Sequence, residues 1–253
     1  MSTRSELRTL IALNPDIDTT TLTTANQDLL LDKATIDLAL KGRALPKNEK
    51  VNVVASQREY VLSGASPVLT DNDFLAMDLR EGGVLFSDGT SWFGPSSGFI
   101  PKTREWLDIN LPAWRTASSA ATPLYWYVGA GEDRASHLAL GLVDKPTTAR
   151  TDGLWIHYLS RGVLMTDDTH YPWTGNTTKL SHLEPYDPLL IYYVVEWYLR
   201  FTAKNDADAD KYKLLYESGA QAMAQRLPLE EHLLREGFEP APYFSALGGR
   251  RRY

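Results

Sequence analysis

The carboxylates and imidazole of Asp167-Asp168-Thr169-His170, with His182 and Glu184 shortly after, form the one cluster whose residue types could do chemistry. A carboxylate beside a histidine can act as an acid–base pair in hydrolysis, and the same groups can ligate a metal. A metal needs ligands converging from fixed positions, for instance two histidines four apart on one helix. Here Pro172, Gly175 and Pro185 interrupt the segment. A solvated loop with capping carboxylates is the expectation, and a hydrolase built on Asp167, Asp168 and His170 is the reading it competes with.

Asp206, Asp208 and Asp210, with Glu217 eleven residues after Asp206, imitate a calcium loop. Such a loop turns sharply on a glycine at its sixth position, where this chain has Lys211. The dipole of a helix N-terminus accounts for these aspartates instead. The Gly-Gly pairs at 82–83 and 248–249 lack the setting of a phosphate loop. The chain has no cysteine, which removes thiolate nucleophiles, disulfides and cysteine-ligated metals together. A serine nucleophile would need a histidine and a carboxylate that cannot be placed. No catalytic residue, cofactor or metal is expected.

Trp92, Phe93, Trp106, Trp114 and Trp126 could stack sugars, which makes a carbohydrate-binding virion or surface module the alternative function. At strand and turn positions such residues more often fill a sheet core or a subunit contact. The 13 tyrosines and seven tryptophans suit contacts in either case, having an apolar body and a polar tip. His137 and His157 sit in apolar strands and read as core histidines.

The elements around these residues follow from period and punctuation. Residues 2–13 read as a short helix with Leu7, Leu10 and Ile11 on one side and Ser5 placed to cap. Thr23 or Thr24 opens a longer helix, with Ala25, Leu29, Ile36, Ala39 and Leu40 as its apolar stripe and Gly42 as its stop. From Lys50 the period changes to two. Asp88-Gly89 between residues 84–86 and 91–93 is a hairpin turn. Residues 104–114 look like a short helix, and 124–128, 136–142 and 154–159 like strands. Residues 186–201 are apolar almost all round, so that helix must be covered on several sides. A second helix starts at Asp206 as N-cap, carries Ala209, Tyr212, Tyr216, Ala220, Met223 and Leu227 on one stripe, and closes at Pro228.

The expected fold is α+β: a helical bundle from the N- and C-terminal helices, a β-rich central insertion and an extended C-terminal tail. Residues 1–48 and 184–228 make the helical domain, 49–183 the insertion and 229–253 the tail. A chain of 253 residues is long enough for a substantial core. Its net charge of −6 and pI near 5.4 argue against a basic nucleic-acid-binding surface. The first residues lack the apolar core of a signal peptide. The longest apolar run, 188–195, is far short of the roughly 20 residues that span a bilayer, so no membrane is expected. Asn176-Thr177-Thr178 then reads as a turn, not a glycan site.

The tail ends in Gly248-Gly249-Arg250-Arg251-Arg252-Tyr253 after Tyr243 and Phe244. Arginine and tyrosine are enriched at binding hot spots, and residues 239–253 fully extended reach about 45–50 Å. Tyr243, Phe244, Arg250, Arg251, Arg252 and Tyr253 are the docking candidates. Tyr192, Tyr193, Trp197, Tyr198, Tyr212 and Tyr216 are the subunit-interface candidates.

The order of these features resembles the head-to-tail adaptor (connector) proteins of tailed bacteriophages, of the tail tubular protein A type. The resemblance rests on the two N-terminal helices, the strand entry Arg58-Glu59-Tyr60-Val61-Leu62, and the segment from Trp106 to Trp114 leading to Thr122-Pro123-Leu124-Tyr125. It continues through Val143-Asp144-Lys145-Pro146 and through Leu183-Glu184-Pro185-Tyr186-Asp187-Pro188-Leu189, which opens a helical hairpin turning at Asn205-Asp206-Ala207-Asp208. The Gly-rich stretch 81–98 departs from shorter forms. The resemblance implies a non-enzymatic virion protein of the neck, between capsid and tail, assembled in the host cytoplasm. Its implied partners are the portal protein, neighbouring copies in a ring of twelve, and the next tail component (nozzle or stopper). Double-stranded DNA would pass through without specific binding, helped by a mildly acidic lumen. The tail would reach into the portal, which makes the docking candidates portal-docking candidates.

Overall fold

The computed structural model describes residues 1–64, 66–116, 119–131 and 137–235. In chain order these form α1 (Arg4–Ala12), α2 (Thr24–Lys41), β1 (Pro46–Val53), β2 (Glu59–Ser63), β3 (Phe74–Met77), β4 (Val84–Ser87), β5 (Trp92–Phe93) and β6 (Ile100–Pro101). Then follow α3 (Arg104–Asn110), β7 (Ser119–Ala120), β8 (Tyr125–Ala130), β9 (Leu138–Leu142), β10 (Lys145–Pro146), β11 (Arg150–Ser160), α4 (Asp187–Tyr198) and α5 (Asp206–Arg235). They fall into two units. One is Leu45–Leu164, and the other combines Met1–Ala44 with the chain from Met165 onward.

The β-rich unit is organised by β11. Along it, Leu154, Ile156 and Tyr158 are buried while Trp155 and His157 are half-buried, the period of two that a one-sided sheet requires. Strand β1 runs antiparallel on one side, from Pro46↔Leu159 to Val53↔Arg150, with a bulge between Val51 and Val53. β4 and β3 pair on the other side, and β5 returns from β4 through the Asp88-Gly89 hairpin. A second sheet has the order β2-β9-β8-β6. Val53, Tyr60, Phe86, Trp126, Leu140 and Ile156 share one core cluster drawn from both sheets. A smaller cluster seats α3 by Leu107, with Trp114, Tyr127 and Val143.

Asp73 ties the end of the first sheet together. It is buried, and its carboxylate accepts from Lys47 of β1 and from Tyr158 (3.2 Å) and Ser160 of β11. Burial pushes this carboxyl up, but Lys47, Ser160 and Tyr158 outweigh burial and hold it below the usual carboxylate range. Asp73→Ala is expected to cost about 2–3 kcal/mol, since it strands buried donors. A carboxyl depressed by folding stabilises above its unfolded value, roughly pH 4, and that contribution is lost as pH falls through the lower folded value. Urea unfolding between pH 6 and 2 checks this. The variant should show a shallower acid limb, and parallel limbs would rule out the linkage.

In the other unit, Thr3 caps α1 in a capping box with Glu6, where the spacing had pointed to Ser5. Helix α2 stops at Gly42 as expected, but through packing and not a left-handed turn. Its φ is −82°, and a Cβ there would lie 2.6 Å from Met223 Sδ on α5. The buried face of α2 is Leu30, Leu31, Ala34, Thr35, Leu38 and Ala39. Of the stripe read from the sequence only Ala39 is on it; Leu29 and Leu40 are exposed. α4 is followed by one π-helical turn, Leu199–Ala203, and Lys204 in the left-handed region at φ 53°. Asn205, not Asp206, caps α5, its side-chain oxygen accepting from Asp208 N at 3.3 Å. α5 does not end at Pro228 but continues to Arg235.

The chain is α+β, but the helical bundle expected of its terminal helices does not form. The fold is mixed, with a β-rich core formed by the central part of the sequence and helices mainly in its N-terminal and C-terminal parts. α4 meets α1, α2 and α5, yet these helices have nine, 18, 12 and 30 residues and share no common length. Much of their packing comes from the irregular segment before α4, which buries Met165, Trp173, Leu183 and Tyr186. Apolar stripes in a sequence say that helices are covered, not that other helices do the covering.

Candidate interaction surfaces

Most of the side chains that could have done chemistry are engaged in holding the fold. Asp167 caps its own turn, Oδ1 accepting from Thr169 N and Oγ1 at 3.0 Å each, and those bonds hold its carboxyl low. Asp168 pairs with Arg8 of α1. The carbonyls of Asp168 and His170 accept from Ser5 N (3.1 Å) and Arg4 N (2.9 Å), two amides that the first turn of α1 leaves unmatched. His170 Nδ1 lies 3.3 Å from Thr166 N. Glu184 pairs with Lys179 at 2.8 Å, which chiefly holds its carboxyl down at about 2. His182 is exposed. The Asp-His cluster is therefore a clasp on the start of α1. Among the described residues no three His, Asp or Glu side chains are arranged to hold a metal ion.

One spacing is easily overlooked. Gly94-Pro95-Ser96-Ser97-Gly98 has the G-x-S-x-G order of a nucleophile elbow. It forms a single 3-10 turn between β5 and β6, not the strand-to-helix turn that would present Ser96, the serine in the nucleophile position.

The tyrosines of the hairpin divide between core and surface. Tyr198 and Tyr216 are buried within the chain. Tyr198 OH accepts from Asp18 N (3.3 Å) and lies 2.9 Å from Thr21 Oγ1, while Tyr216 OH donates to Asp37 Oδ2 at 2.6 Å. Burial first, then Asp37, raises the Tyr216 phenol far above its ordinary value. Tyr192, Tyr193, Trp197 and Tyr212 are half-buried. Tyr193 meets Tyr216 edge-on at 5.4 Å, and Tyr212 reaches back to Asp16 at 2.8 Å. α4 and α5 approach closely at Gly219, where a Cβ would lie 2.3 Å from Leu189 Cδ2. Arg200 locks the turn of the hairpin, bonding Glu196 and Asp210 at 2.7 Å each.

The aromatic residues of the β-rich unit do not gather into an open platform. Trp114 and Trp126 are buried. Trp106 packs on Tyr125 at 5.6 Å with Lys102 Nζ 4.2 Å above its ring. Trp92 is exposed and meets Trp155 edge-on at 5.7 Å, but Lys50 Nζ lies over both rings, at 5.8 and 5.4 Å. A pyranose stacks on a free ring face, and here a lysine already lies over one face of each. The six tail candidates, Tyr243 to Tyr253, lie outside the described residues.

The chain belongs to the SU10 adaptor protein family, whose model matches residues 2–232 and so takes in both units. This is a family of structural adaptor proteins of phages. No curated protein matches the chain. Among the described residues no helix is long and apolar enough to cross a membrane.

Proposed function

We propose that this protein sits in the virion neck, joins the portal vertex of the capsid to the tail and has no catalytic role. Copies of it, twelve to a ring, surround the channel through which DNA passes. The observation that carries the reading is the family match from residue 2 to residue 232, which spans α1 through most of α5. Two features agree with it. Asp167, Asp168, His170 and Glu184 each have a structural partner, and the net charge of −6 disfavours DNA adhering to the channel. On this reading the C-terminal residues Tyr243, Phe244, Arg250, Arg251, Arg252 and Tyr253 insert into the portal, and the half-buried Tyr192, Tyr193, Trp197 and Tyr212 lie near neighbouring copies.

Deleting residues 248–253 tests the portal contact. The shortened chain should fold with an unchanged circular dichroism spectrum but no longer co-sediment with DNA-filled capsids. Normal co-sedimentation would remove the docking role of the tail. Failure of the full-length chain to join capsids would remove the adaptor reading itself.

A further inference from the structure

We draw no further inference here: the strongest candidate, the outward apolar faces of α2 and α5 on which Leu29, Leu40, Leu214 and Leu215 are exposed, carries nothing because nothing in the structure shows what covers them.

Discussion

Replacing Gly141 by alanine is expected to destabilise the β-rich unit by about 3–5 kcal/mol, well beyond the ordinary effect of one methyl group. Gly141 lies in β9, directly opposite Tyr127 of β8 on one side and Glu59 of β2 on the other. A Cβ at this position would sit 2.0 Å from Tyr127 Cζ and 2.4 Å from its hydroxyl oxygen. The ring has no room to retreat. It is 1% exposed, meets Trp114 edge-on at 5.1 Å, carries the Arg104 guanidinium 4.8 Å over its face, and donates to Glu59 at 2.8 Å. Two costs therefore add: overpacking, about 1–3 kcal/mol, and loss of a hydrogen bond to a charged acceptor, about 1.5–3 kcal/mol. Urea unfolding followed by far-UV circular dichroism measures the sum. A midpoint within error of the parent protein would show that Tyr127 is not held as the structure has it.

That glycine shows where the sequence is legible and where it is silent. The alternation Leu154, Ile156, Tyr158 and the Asp88-Gly89 turn are local signals, and the strands and hairpin they announce are present. The greasy helix after Pro188 likewise announces that it is covered on several sides. What a local signal cannot carry is the identity of a distant partner. Gly141 reads as a weak spot in a strand until Tyr127 is placed across from it. Asp168 and His170 read as part of a solvated loop until Arg8 and the first amides of α1 arrive from the other end of the chain. On α2 the apolar residues lie on two faces, so periodicity picks out Leu29 and Leu40 as readily as Leu31 and Leu38. Only the tertiary contacts decide which set is inside. Pro228 illustrates the reverse error, since a local rule that stops helices did not stop α5.

Trp173→Ala is expected to cost the helical unit about 3–5 kcal/mol, the range for removing a large aromatic side chain from a packed interior. Against a total stability of about 5–15 kcal/mol, that leaves a large unfolded fraction under mild denaturant. Trp173 is 2% exposed, and its Nε1 donates to the carbonyl of Thr35 on α2 at 2.9 Å, fastening a loop to a helix 138 residues away. The loop is tight, with Gly175 N donating to Tyr171 O at 3.2 Å and Tyr171 N to Asn176 O at 2.9 Å. Trp173 itself has φ +63°, a backbone state that disfavours any residue with a Cβ by roughly 1–2 kcal/mol. The buried indole outweighs that strain, which sets up an inverted comparison. Glycine is normally worse than alanine, yet here Trp173→Gly leaves the same cavity and relieves the strain, so it should be about 1 kcal/mol less damaging than Trp173→Ala. Trp173→Phe should fall between the alanine variant and the parent, having kept a ring but lost the N–H. Thermal and urea unfolding of the three variants rank them, and a glycine variant clearly less stable than the alanine one would mean that the indole is not holding the backbone in a left-handed turn.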